Sequence, residues 1–119
     1  MGMNRESLAQ CGISYDDAVE KFLGEAELYE SLLVNFLDDN SFDEAKVCVE
    51  NGDCEGVIRT IHAMKSVTGT LCMNVLYRKC CEVVDDARAN DTEKMKADFA
   101  EAYEMYQKIA ECIRAEAAE

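Results

Sequence analysis

The stretch His62-Ala63-Met64-Lys65-Ser66-Val67-Thr68-Gly69, with Leu76 beyond it, decides how the chain is read. Wound at about 100° per residue, it separates into two faces. Val57, Ile61, Met64, Thr68 and Leu71 recur at i, i+4, i+7, i+11 and i+14, the spacing of a stripe that a helix buries against its neighbours. Ile58, Lys65, Ser66 and Gly69 fall within roughly 60° of the other direction, that of His62, the chain's one histidine. The reading is a helix from about Cys54 to Leu71 whose imidazole looks outward. Gly69 costs about 1 kcal/mol relative to Ala in a helix interior. With the small Ser66 it predicts a face beside His62 stripped of bulk, as close approach by something large would require.

Working outward, Asn51-Gly52 suits the left-handed conformation that closes a preceding helix, and Asp53 is placed to cap the histidine helix. That helix ends near Cys72-Met73, where Asn74 is expected to cap the next; so short a connection makes the two antiparallel neighbours. Leu76, Cys80, Val83, Val84 and Ala87 carry that next helix to Asn90. Asp91-Thr92 opens the last one, with Met95, Phe99, Ala102, Tyr103, Tyr106, Ile109, Ala110 and Ile113 on its apolar side and Asp98 and Glu101 on the others. The tail from Ala115 to Glu119 reads as frayed. Upstream, Ser41-Phe42-Asp43-Glu44 is a capping-box pattern, which leaves open a new helix or a bend in a longer one within 38–44. Phe42, Ala45, Cys48 and Val49 carry the stripe from there. Before it, Leu28, Leu32, Leu33 and Phe36 carry a helix with Tyr29 and Leu37 at the edges, and Ser14-Tyr15-Asp16-Asp17 starts a short one that Gly24 ends. Residues 1–13 form an N-terminal segment, a short helix or partly disordered. The expected fold is all-α: within residues 14–119, an antiparallel four-helix bundle with one or two short N-terminal helices.

Composition agrees. The 119 residues suit one domain with one core, and the absence of Pro and Trp with only 6 Gly leaves little turn chemistry for an all-β fold. A net charge of -13 excludes a nucleic-acid backbone or an anionic membrane as partner, since either is bound through Lys and Arg. No apolar run approaches the roughly 18 to 20 residues of a membrane span, and the first residues lead into no signal-peptide core, so a cytoplasmic monomer is expected. Seven cysteines, an odd number without Cys-x-x-Cys, are expected as reduced thiols, with Cys80 serving as a small core residue.

His62-x-x-Lys65 followed by Ser66, with Gly69 seven and Leu76 fourteen residues beyond the histidine, resembles the signature of histidine-containing phosphotransfer (HPt) domains, the carrier modules of bacterial and fungal phosphorelays. Cys11-Gly12-Ile13-Ser14, Phe22-Leu23-Gly24-Glu25-Ala26-Glu27-Leu28-Tyr29, Leu32-Leu33 and Phe36 resemble the same family's N-terminal region, so the likeness covers almost the whole chain. It departs from the pattern at Ser66, where Gly is common, and at Cys72, where a small residue is often found.

The resemblance implies that His62 takes a phosphoryl group from the phospho-aspartate of a response-regulator receiver domain, and passes it to another receiver by in-line transfer. Neutral imidazole serves as a nucleophile without elaborate activation. Catalysis in such a transfer is mainly positioning and charge stabilisation, with Mg²⁺ and a lysine supplied by the receiver and no cofactor or metal of this chain's own. Lys65 is expected to offset charge on the phosphoryl oxygens, Ser66 and Gly69 to give clearance, and Arg59, with Arg78 and Lys79, to add positive charge around the site. A hybrid sensor histidine kinase is a second expected partner. No Gly-rich phosphate loop is present, so no ATP-dependent autokinase activity is expected. The alternative reading is an acidic helical protein-interaction module in which His62 is incidental. A di-iron bundle enzyme is excluded, because its two Glu-x-x-His units need two histidines.

Overall fold

The computed structural model describes residues 3–117, which form seven helices and no strand among the described residues. Met1, Gly2, Ala118 and Glu119, the outer ends of the N-terminal segment and of the tail, lie outside them. The helices are α1 (Arg5–Gln10), α2 (Tyr15–Lys21), α3 (Ala26–Phe36), α4 (Ser41–Glu50), α5 (Cys54–Thr70), α6 (Asn74–Arg88) and α7 (Thr92–Ala117). The fold is all-α. Helices α4 to α7 follow one another through short turns and close a four-helix bundle: α4 packs on α5, α5 on α6, α6 on α7, and α7 on α4. Helix α7 is long enough, at about 1.5 Å per residue, to run past α4 and serve α3 and α1 as well. Phe36 of α3 and Phe42 of α4 both pack on the Tyr106 ring, with centroids 5.7 and 4.6 Å away. Helices α1 and α2 bury Leu8 and Ala18 in the same core.

Most of the patterning carries through to burial. Val57, Ile61, Met64 and Leu71 are at most 4% exposed, and Leu76, Cys80, Val83, Val84 and Ala87 line α6's inner side. Burying one such aliphatic side chain is worth about 1.5–3 kcal/mol, so these two stripes dominate the cohesion of α5 with α6. The buried threonines of α5 are satisfied within the helix. Thr68 Oγ1 donates to Met64 O at 2.7 Å and Thr60 Oγ1 to Gly56 O at 2.9 Å, so burial leaves neither hydroxyl unpaired.

The helix ends differ from the sequence reading in instructive ways. Asp53 caps α5 as expected, its Oδ1 accepting from Gly56 N at 3.0 Å. Ser41 does not act as a capping box, because α4 begins at Ser41 itself and Asp39 Oδ1 accepts the Ser41 N–H at 2.8 Å. The chain therefore breaks between α3 and α4. Ser14 makes no capping bond, and Asn74 is the first residue of α6, behind an N-cap at Met73. Instead Asn74 Nδ2 donates to Ser14 Oγ at 3.1 Å, while Ser14 N donates to Cys72 O at 3.1 Å, tying the start of α2 to the α5–α6 turn. Helix α2 closes on Leu23 rather than on Gly24: Leu23 holds φ 56°, with Gly24 N donating to Val19 O at 2.8 Å. Cys72, at φ 58°, closes α5 in the same way.

On α3 the stripe is centred on Tyr29, Leu33 and Phe36, all buried, while Leu28 is half exposed; the axis is rotated from the one expected, with the Tyr29 ring packed on Tyr15 and Phe22 and its hydroxyl donating to Leu71 O. The expected fraying from Ala115 does not occur as far as Ala117, which is still helical. Asp86, unremarked in the sequence, is buried, and Asp98 is largely buried against α6.

Candidate functional site

His62 lies at the middle of α5, on the face turned from the buried stripe, and is exposed. Its ring opens into a shallow groove lined by Lys21, His62, Lys65, Ser66, Gly69, Thr70, Asn74 and Tyr77. Helix α5 supplies the floor, since residues three, four, seven and eight after His62 follow one another along one side of the helix. Helix α2 contributes Lys21 at one rim and α6 contributes Asn74 and Tyr77 at the other. Three of the four expected partners of His62 thus meet it there: Lys65, Ser66 and Gly69. Arg59, exposed one turn before His62 on the same helix, does not line the groove.

Two expectations are corrected. Lys79 adds no charge to this site, because its ammonium is enclosed by Glu82 at 2.9 Å, Asp98 at 3.2 Å and Glu101 on the α6–α7 seam. Hydrogen bonds to Glu101 and Glu82 hold that ammonium protonated well above the usual lysine range. Arg78 lies in a different depression with Arg5, Tyr15 and Asp16. Gly69, in turn, is not left bare for an incoming partner. A Cβ placed there would come within 3.2 Å of Tyr77 Cδ1 and 3.3 Å of Cε1, so the missing side chain is the seat of the Tyr77 ring. The clearance around the imidazole comes from Ala63 and Ser66, which are exposed.

Lys21, Thr70 and Tyr77 were not singled out from sequence, and Asn74 only as a helix cap. Lys21 closes α2, and its Nζ donates to Gly69 O at 3.1 Å, near the carbonyl end of α5 where a cation is favoured. No local pattern connects residue 21 to residue 69. Tyr77 did leave a signal, because an antiparallel hairpin turning through Leu71, Cys72 and Met73 brings residue 77 opposite residue 69, and a glycine in a helix asks what rests on it. The Tyr77 hydroxyl meets the Cys81 thiol, which raises it above the ordinary phenol range.

The electrostatics of the groove set it apart from the rest of the surface. The chain has 25 acidic against 12 basic residues, yet the lining holds two lysines and no carboxylate. A small anion placed beside His62 would have Lys65 one turn away, with Lys21 held two turns along the helix at Gly69 O and no carboxylate lining the groove. Among the described residues no group of three His, Cys, Asp or Glu side chains is arranged to hold a metal ion, and no helix is long and apolar enough to cross a membrane. Comparison with protein families, with curated proteins and with solved structures returned no match.

Proposed function

We propose that this chain is a histidine phosphocarrier, in which His62 accepts a phosphoryl group from a receiver-domain aspartate and passes it to a second receiver. The observation that carries the reading is an exposed imidazole at mid-helix in an acid-free, two-lysine groove, on a chain of net charge -13. The ring makes no hydrogen bond within the described residues, so its nitrogens are open to an incoming phosphorus. Transfer between phospho-aspartate and imidazole asks little covalent work of the carrier beyond positioning and charge balance. Lys65, one turn from His62, serves as a point charge for the phosphoryl oxygens, while Lys21, bound to Gly69 O two turns along α5, adds positive charge at the far end of the groove. The receiver supplies Mg²⁺. Its acidic pocket would be repelled by most of this surface and admitted at the His62 groove, which orients the encounter.

The test is to mix the protein with a phosphorylated receiver domain and follow the label. An acid-labile, base-stable phosphoryl adduct is expected on the wild type and none on His62→Gln, with far-ultraviolet circular dichroism equal in both. Label on His62→Gln, or none on the wild type with several receivers, overturns the carrier reading and leaves the interaction module.

A further inference from the structure

Away from the groove, Asp86 of α6 and Asp98 of α7 lie within hydrogen-bonding reach of each other across the seam between their helices. Their side chains are 5% and 15% exposed. Each spends one oxygen on a lysine: Asp86 Oδ1 lies 3.2 Å from Lys94 Nζ, and Asp98 Oδ1 lies 3.2 Å from Lys79 Nζ. The other oxygen of each, Oδ2, is buried and meets no donor. A buried carboxylate oxygen without a donor is costly, and two ionised carboxylates in contact add repulsion to that cost. One hydrogen ion between them removes both difficulties.

We propose that the pair is a proton-binding site: Asp86 carries the proton and donates Oδ2–H to Oδ2 of Asp98, which stays anionic. The assignment of roles follows from the lysines. Lys79 is 15% exposed and pairs with Asp98 in a closed cluster, whereas Lys94, the partner of Asp86, is 64% exposed and its charge is screened by water. The more deeply buried carboxyl with the weaker counter-charge takes the proton. A metal ion is disfavoured by the two ammonium groups that already occupy the outer oxygens, and the seam offers no third free ligand among the described residues.

The charged groups around the pair point the same way. Burial, and then the hydrogen bond with Asp98, push Asp86 above the ordinary aspartate range; the bond from Asp86 and the contact with Lys79 hold Asp98 below it. Glu82 and Glu101 face Lys79 from α6 and α7, and none of the groups that move either carboxyl belongs to α4 or α5. Asp86 in the unfolded chain ionises near 3.9. Its contribution to stability is therefore complete below that pH and is lost as pH rises through the pair's upper transition. The contribution of Asp98 has the opposite sign: it is present above the ordinary range and lost as pH falls through its lowered value. The seam between α6 and α7 is tightest when the pair holds one proton.

The experiment is urea unfolding of the full chain across the acid to mildly alkaline range, for the wild type and Asp86→Asn, whose amide donates permanently to Asp98 Oδ2. The wild type should lose stability on the alkaline side of the pair's upper transition, and Asp86→Asn should lack that limb and exceed the wild type there. The same limb in Asp86→Asn, or a uniform loss at every pH as for a simple Asp86–Lys94 ion pair, overturns the proposal. Carboxyl ¹³C titration of the wild type reads the pair without a variant: one aspartate should titrate above the ordinary range and move with its partner, and two ordinary transitions refute it.

Discussion

Two glycines on α5 offer a paired test of the packing, because the same substitution should have unlike outcomes. Gly56 is the third residue of the helix, and a Cβ there would strike Asp53 Oδ2 and lie 2.6 Å from Cys48 Sγ. Asp53 Oδ2 belongs to the exposed carboxylate that caps α5, and Cys48 is half-buried on the neighbouring α4, so neither can give way without loosening the cap or the α4–α5 contact. Gly56→Ala gains about 1 kcal/mol of helix propensity. It forfeits the cap, about 0.5–2 kcal/mol, and adds overpacking of about 1–3 kcal/mol, for a net loss near 2 kcal/mol. At Gly69 the neighbour is the ring of Tyr77, which is 37% exposed and free to tilt by the few tenths of an ångström required. There the same propensity gain meets an off-rotamer cost of about 0.5–1.5 kcal/mol, and Gly69→Ala should fall within about 1 kcal/mol of the wild type. For a chain of this size the two variants should differ by roughly 6–10 °C in melting temperature, Gly56→Ala the lower. Urea titration and thermal scans measure this directly. A Gly56→Ala protein as stable as Gly69→Ala would refute the account of the α4–α5 junction.

Other perturbations separate stability from function. Leu23 holds φ 56° while 92% exposed, so Leu23→Gly relieves about 1–2 kcal/mol of left-handed strain against about 0.5–1 kcal/mol of added chain entropy, and should raise the melting temperature slightly; a clear decrease contradicts the helix-end assignment. Ser66→Leu adds bulk on the exposed face one turn beyond His62 and should leave the unfolding curve near that of the wild type while slowing phosphoryl transfer at least about tenfold, roughly 1.4 kcal/mol; an unchanged rate would mean that no partner passes over Ser66.

What was legible in the sequence is what periodicity and end chemistry carry. The α5 stripe, the α6 stripe and most of the α7 stripe are buried at the residues that spacing picks out, because an amphipathic helix in a bundle has one way to face its core. Asp53 at the start of α5 and Gly52 before it have the roles their residue types predict. Sequence reading went astray where long-range contacts override local preference. Ser14 and Asn74 are good caps in isolation, yet they bond each other across sixty positions and leave their helix ends to other groups. Leu23 and Cys72 take a conformation that glycine prefers, because the chain must turn there and tertiary packing sets the point. Asp86 was invisible for a related reason: one acid among 25 carries no mark of burial until α7 is laid against it.

The site was legible in half. His62, Lys65, Ser66 and Gly69 share a face by helical arithmetic alone, and the structure places all four on the groove. The arithmetic could not tell that Gly69 faces Tyr77 from the same chain, and this changes where a partner has room. The C-terminal end of the groove is partly filled by that ring, with Lys21 pinned to Gly69 O beside it. The open ground lies around Ala63 and Ser66, and it continues past Ser66 and Thr70 into a second depression bounded by Leu32, Asn35 and Phe36 of α3 and by Asp39 just beyond that helix. On the phosphocarrier reading, a receiver approaching His62 would therefore lean towards α3, where apolar surface is available, rather than along the axis of α5. Lys65 would remain at its phosphoryl group, with Lys21 at the far end of the groove.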